Sequence, residues 1–174
     1  MNERLELFTS EHMGLTWDFQ VNPETCGNNT HYENYIRFSA LSDKRYGLGT
    51  THVLLGEENG NKILLGFMTL RSSSYIVQQD DSMHGEPALE IMELAVDRRY
   101  EHLGYGRRLV NAAIDLADSL TESSISFKYI VLCADRQAVP FYSRCDFAKL
   151  SDYAEVPRNG ANDECIPMAI RIRE

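Results

Sequence analysis

The sequence predicts a single α/β domain, and three observations carry that expectation. "THVLLGEENGNKILLGFMTL" (51–70) places two β-rich runs around Asn59-Gly60, the strongest short-range signal for an antiparallel hairpin. "ALEIMELAV" (88–96) reads as a strand, runs into a turn with two glycines one residue apart, and is followed by the helical stripe Leu109, Val110, Ala113, Ile114, Leu116, Ala117 and Leu120 and by the buried-strand pattern "KYIVLCA" (128–134), which together make a βαβ unit. The length of 174 residues suits one domain that buries its core without metal or disulfide support.

The remaining elements follow in chain order. A short helix is expected near Glu3 to His12 and a short strand around Leu15 to Val21. "THYENYIRFSALSDKRYG" spaces Tyr32, Tyr35, Ile36 and Ala40 as a helix that stops at Gly47. The polar run "SSSYIVQQDDSMHGEP" (72–87) reads as a mobile surface loop. "RQAVPFYSRC" is a short helix with Pro140 in its first turn, and "CIPMAIRI" is a final strand that tolerates Pro167 near its start.

Composition narrows the function classes. With 17 Lys+Arg against 26 Asp+Glu the net charge is −9, which repels polyanions unless the basic residues form a local patch, and so argues against nucleic acid as a partner. The four cysteines, Cys26, Cys133, Cys145 and Cys165, form no C-x-x-C pair, and reduced thiols are the default expectation. The N-terminus has no apolar h-region and no run of about 18 apolar residues occurs, so the expectation is a cytoplasmic protein without a membrane partner.

The glycine turn is the most informative stretch. Gly104 and Gly106 at a strand-to-helix turn let the main chain fold tightly and aim amide N–H groups at an anion beside the positive end of the helix. The dinucleotide fingerprint is incomplete, because Leu109 stands where its third glycine belongs, and the Walker A lysine is missing. Arg98, Arg99, Arg107 and Arg108 form the densest basic cluster of the chain, suited to phosphate contacts or to a solvated face.

The order of hairpin, strand, glycine turn, helix, strand and "FY" helix resembles the GNAT superfamily of N-acetyltransferases. In that family the turn has the pattern Gln/Arg-x-x-Gly-x-Gly/Ala. The matching residues are Glu101-His102-Leu103-Gly104-Tyr105-Gly106, led by "LAVDRRY", with Glu101 in place of Gln or Arg; an acid there disfavours a diphosphate unless it points to solvent or pairs with Arg98, Arg99 or Arg107. "AVPFYSRCDF" is similar to the family's A-x-x-F-Y-x-x-x-G-F, with Asp146 at the glycine position, where it tolerates left-handed backbone better than most residues.

The resemblance implies a mixed, largely antiparallel central sheet flanked by helices on both faces, with residues 1–174 as one acyltransferase domain. It also implies acetyl-CoA as the acyl donor, its diphosphate on residues 101–107 (Glu101, His102, Leu103, Gly104, Tyr105, Gly106, Arg107) and its pantetheine on the backbone of Leu94, Ala95 and Val96. Acetyl transfer to an amine needs a neutral nucleophile and an acid for the departing thiolate, and no metal. The resemblance places that acid on Tyr142, with Phe141 beside it as core. For a base, Glu90 and Glu93 are candidates, and strand alternation turns them to opposite faces. The histidines His12, His31, His52, His84 and His102 share no metal-ligand spacing, and only His102 lies within the turn.

The expected function is transfer of acetyl to a primary amine of a small molecule, amino acid or peptide. One alternative comes from "TCGNNTHYENYIRFSALSDKRYGLGTTHVLL", which with "LLGFMTL" and "LAVDRRY" looks like the layout of GNAT toxins that acetylate aminoacyl-tRNA and work with an antitoxin partner. A second alternative is a non-catalytic acyl-CoA sensor. A homodimer is compatible with each. Acceptor choice falls to residues 22–34, 72–87 and 152–164.

Overall fold

The computed structural model describes residues 3–150, 154–155 and 165–172. In chain order they form β1 (Arg4–Leu7), a 3-10 helix (Ser10–Thr16), α1 (Asn29–Asn34), a π turn (Tyr35–Ser39), α2 (Ala40–Tyr46), β2 (Thr50–Glu58), β3 (Asn61–Gln79) and β4 (Ser82–Val96). A 3-10 turn (Arg98–Tyr100) precedes α3 (Tyr105–Ser123), β5 (Tyr129–Ala134), a 3-10 turn (Arg136–Ala138), α4 (Val139–Ser143), β6 (Ala148–Lys149), β7 (Ala154–Glu155) and β8 (Ile166–Arg171). The strand order is β1-β2-β3-β4-β5-β8-β6, with β7 on β3. The β4–β5 pair is parallel, and the registers of β1–β2, β2–β3, β3–β7, β5–β8 and β6–β8 are antiparallel. The sheet is thus mixed and largely antiparallel, as expected.

The chain divides into two compact units, Met1–Arg71 with Met92–Val110, and Ser72–Ile91 with Asn111–Glu174. In the first, Asn59 (φ 52°) and Gly60 (φ 78°) both take the positive φ that a two-residue hairpin turn of type I′ requires. The helical run 29–46 turns Tyr35, Ile36 and Ala40 inward onto Phe8, Phe19, Val53 and Phe67. Two adjacent residues, Tyr35 and Ile36, are buried because the π turn widens the helix there. Gly47 (φ 71°) closes the run, its N–H donating to Lys44 O while Leu48 N–H donates to Asp43 O, the double bond that a left-handed cap provides.

In the second unit β4 pairs with β5 from Ala88↔Tyr129 to Ile91↔Leu132, and β5 pairs with β8 from Tyr129↔Arg171 to Ala134↔Ile166. The βαβ reading of 88–134 therefore holds. Ala88, Val131 and Ala169 form a small core packed by Tyr75, Tyr129 and Leu150.

Four expectations need correction. Residues 4–7 are a strand and 10–16 a 3-10 helix, the reverse of the expected helix then strand. The reason is long-range: β1 pairs Arg4↔Leu55 through Leu7↔His52, which local periodicity does not encode, and Thr9 opens the 3-10 helix with its N–H donating to His12 Nδ1 at 3.1 Å. Residues 15–21 are not a strand. Residues 72–87 are not a loop but the far part of the β3–β4 hairpin, turning at Asp80 (φ 53°) and held by Tyr75 stacked on Tyr129 at 4.2 Å and by Lys128 donating to Glu86 at 2.7 Å. Cys133 and Cys165 form a disulfide, because the antiparallel β5–β8 register brings their Cα atoms to 5.4 Å, while Cys26 and Cys145 are free thiols. Of the expected acceptor segment 152–164, only 154–155 lie within the described residues.

His52, on β2, is pushed below its ordinary pKa of 6.5 by burial, and the nearby Lys44 charge acts in the same direction. A depressed histidine pKa means that the unfolded chain binds the extra proton first, so the stability that depends on neutral His52 is present above its ordinary pKa of 6.5 and should fall as pH drops below it. Urea titrations across this range should show that fall, and His52→Gln should flatten it; an unchanged slope would remove His52 as its source.

Candidate active site

In the first unit the site is built around the end of β4. Asp97 follows the strand with no solvent exposure, and its carboxylate accepts from Arg99 N–H (2.9 Å), Arg99 Nε (2.8 Å), Arg99 Nη2 (3.0 Å) and Gln20 N–H (3.2 Å). Its own N–H donates to Leu65 O and its carbonyl accepts from Tyr100 N–H. The carboxylate thus caps the 3-10 turn and ties it to the Gln20 segment, while the Asp97 amide ties the end of the strand to β3. Gly66 permits this closeness: a Cβ there would stand 2.8 Å from Ala95 O and 3.2 Å from Leu109 Cδ1.

The turn that follows is left-handed at two places, His102 (φ 61°) and Gly104 (φ 90°). The first intrahelical bond of α3 runs from Arg108 N–H to Gly104 O, so the amides of Tyr105 and Gly106 have no carbonyl within the helix to reach. A Cβ placed on Gly104 would meet no protein atom within 4 Å. Open space before amide donors at the start of a 19-residue helix is a geometry compatible with an anion.

Glu101 is held differently from expectation. Its carboxylate accepts from Thr25 Oγ1 (2.8 Å) and Asn22 Nδ2 (3.0 Å), not from an arginine. These neutral donors turn the acid toward residues 22–25 but leave its charge. The arginine cluster is also divided: all four are exposed, with Arg99 paired to Asp97 and Arg108 to Glu3. Glu3 also accepts from Tyr105 Oη at 3.0 Å, which fastens the start of α3.

Of the candidate bases, Glu93 is half-buried and its Oε1 lies 2.8 Å from His31 Nε2. Leu94, Ala95 and Val96 follow it on the same strand, Ala95 within the core. Glu90 is buried in the second unit, opposite Val131. Tyr142, also in the second unit, is buried on α4 with its ring edge-on to Phe141 (4.9 Å) and Phe147 (5.7 Å). Phe147 is the core aromatic there, and Phe141, expected in the core, is half-buried. Asp146 adopts φ 67°, as its glycine-like position requires. Sequence reasoning missed Asp97, Gly66, Asn22, Thr25 and His31. Only Asp97, directly before a short turn, left a local signal, that of a capping residue.

Comparison with known proteins completes the picture. The family model described as the Acetyltransferase (GNAT) family matches residues 14–147. The chain belongs to the GNAT acetyltransferases. No curated protein matches it in sequence. Among solved structures, a tyrosine-to-phenylalanine mutant of KacT is similar at 13% identity, over 99% of this chain and 96% of that one, with a TM-score of 0.77. AtaT complexed with acetyl-methionyl-tRNAfMet matches at 16% identity, over 95% and 94%, with a TM-score of 0.73. A tyrosine-to-phenylalanine mutant of the toxin AtaT, bound to the C-terminus of the antitoxin AtaR and acetyl-CoA, matches at 15% identity, over 99% and 94%, with a TM-score of 0.69. At these identities the likeness is one of fold.

As a member of this family the chain is an acetyltransferase. Among the described residues no cluster of His, Cys, Asp and Glu could hold a metal ion, and no helix is long and apolar enough to cross a membrane.

Two expected outcomes test the turn. Gly104→Val forces a β-branched residue into left-handed backbone and fills the open space, so acetyl-CoA affinity should be lost while the remaining fold survives; full affinity in a folded variant, by calorimetric titration, would refute the cradle. Glu101→Gln removes a negative charge beside the turn expected to hold the diphosphate and should tighten acetyl-CoA binding by roughly two- to five-fold, or about 0.4–1 kcal/mol. Weaker binding would instead give the carboxylate a positive role.

Proposed function

We propose that the chain, acting as one acyltransferase domain in the cytoplasm, moves acetyl from acetyl-CoA to the α-amino group of an aminoacyl-tRNA, in the manner of a toxin kept in check by a small antitoxin. The observation that carries this reading is the likeness along nearly the whole chain to AtaT, solved with acetyl-methionyl-tRNAfMet and separately with an antitoxin segment. It exchanges the order of preference read from the sequence.

In this reading acetyl-CoA supplies the acetyl group as a thioester. The turn at 101–107 holds its diphosphate through main-chain amides, the backbone of Leu94, Ala95 and Val96 receives the pantetheine, and Tyr142 donates its phenolic proton to the departing sulfur. Glu93 or Glu90 assists removal of a proton from the acceptor ammonium, directly, through water or through a side chain that it positions.

A second reading, transfer to a small amine, amino acid or peptide, has its own support. The net charge is −9, and two of the four clustered arginines are paired with Asp97 and Glu3, which leaves less basic surface for phosphates. Salt separates the two. An acceptor held through six phosphates loses on the order of 10³ in affinity between 50 and 200 mM salt, whereas a small amine barely responds.

The test is acetyl transfer from labelled acetyl-CoA to a charged-tRNA pool and, in parallel, to an amine panel. Labelled aminoacyl-tRNA with steep salt dependence is the expected result, and labelling confined to free amines would refute the tRNA reading. Tyr142→Phe should reduce kcat by about 10² to 10⁴ on the true acceptor with acetyl-CoA affinity nearly unchanged; wild-type turnover would return Tyr142 to a packing role.

A further inference from the structure

We propose that His31 is a catalytic residue of this acetyltransferase: it takes the proton from the acceptor's ammonium, and Glu93 positions its ring and balances its charge. The inference rests on the reading of the chain as an amine acetyltransferase, and it holds for either class of acceptor.

The geometry starts from two elements of the first unit. His31 lies on α1 and Glu93 on β4, 62 residues apart in sequence, and their side chains meet at 2.8 Å between Nε2 and Oε1. The carboxylate is 12% exposed and the imidazole 43%, so the acid is largely shielded while the ring opens to solvent. A carboxylate that accepts from one ring nitrogen orients the imidazole and leaves the opposite nitrogen as the one that can exchange a proton with an acceptor. This is the arrangement by which an acid behind a histidine makes a base.

The ring borders an open cavity of about 320 Å³ lined by His31, Asn34, Tyr35, Phe38 and Ser39. That is the lower range for a small-molecule site, with two aromatic walls and three polar groups. Tyr35 is a fixed wall: its ring stacks on Phe67 at 6.2 Å and its hydroxyl donates to Asp43 at 3.0 Å. Ring contacts of His31 with Tyr32 (5.3 Å) and Tyr35 (6.3 Å) limit its rotation. The π turn begins at Tyr35, and such widened turns recur at functional sites. Glu93 directly precedes the strand segment 94–96 assigned to pantetheine, so the dyad lies one residue from the path assigned to the donor.

The step balances as follows. An α-amine with a pKa of about 7.7–8.0 arrives mainly as ammonium at neutral pH. One N–H bond breaks, the proton goes to Nδ1 of His31, and the electron pair stays on the amine nitrogen, which becomes the nucleophile. The imidazolium forms an ion pair with Glu93 and returns its proton to solvent from its exposed side.

The experiment measures kcat, KM and acetyl-CoA affinity for the wild type and for His31→Ala, His31→Gln and Glu93→Gln, with and without added imidazole, on whichever acceptor the wild type turns over. We expect His31→Ala to lose about 10²-fold or more in kcat with acetyl-CoA affinity unchanged, and free imidazole to restore much of the loss. His31→Gln retains a donor to Glu93 but has no basic nitrogen, and should be as slow as His31→Ala. Glu93→Gln should lower kcat to a smaller extent. Wild-type kcat in either His31 variant, or a loss that imidazole leaves untouched, overturns the assignment. Acceptor class is decided by the wild type alone and the dyad by variant-to-wild-type ratios, so the two readings fail separately.

Discussion

A single buried carboxylate, that of Asp97, sets the position of everything that follows it. A charge removed from water is costly, and this one is offset by four donors: two from the Arg99 side chain, the Arg99 amide and the Gln20 amide. Because those donors come from the residues just after the strand and from the segment before α1, the carboxylate fixes where β4 ends, how the chain bends into the 3-10 turn, and which residues border that bend. Losing a donor would leave part of this charge buried and unpaired, although the Arg99 side chain, 46% exposed, is itself only partly withdrawn from water.

The same economy of charge runs through the first unit. An acidic chain would be expected to gather its arginines around a phosphate site, yet Arg99 and Arg108 are used to hold backbone, by pairing with Asp97 and Glu3. Under the proposed function, binding of a phosphate at the turn would therefore rest mainly on main-chain amides and the helix dipole. Glu101 is tolerated for a related reason: Thr25 and Asn22 satisfy its oxygens. Gly66 has a steric role in this plan, since β3 must pass Ala95 O at a distance no side chain allows.

What could be read from the sequence was what neighbouring residues decide. Asn59-Gly60 announced its hairpin because type I′ geometry needs positive φ at both positions, and Gly104 (φ 90°) announced the strand-to-helix turn for a similar local reason. The β1 strand and the 72–87 hairpin were misread because their evidence lies in partners, Leu55 for Arg4 and Tyr129 for Tyr75, that no local pattern supplies. The disulfide was equally hidden, since the β5–β8 register, not the spacing of 32 residues, brings Cys133 to Cys165. In the site, the turn was legible and the His31–Glu93 pair was not, because it is made by a helix and a strand that share no motif.

The central claim is that the turn fixed by Asp97 is a diphosphate cradle formed by main-chain amides. Titration of 15N-labelled protein with coenzyme A, followed by amide chemical shifts, addresses it directly. The account predicts that the largest shifts fall on the amides of residues 103–108 and saturate together, with the Asp97 and Arg99 amides little moved because their bonds are already made. Saturable binding whose shifts leave 103–108 unperturbed would contradict it.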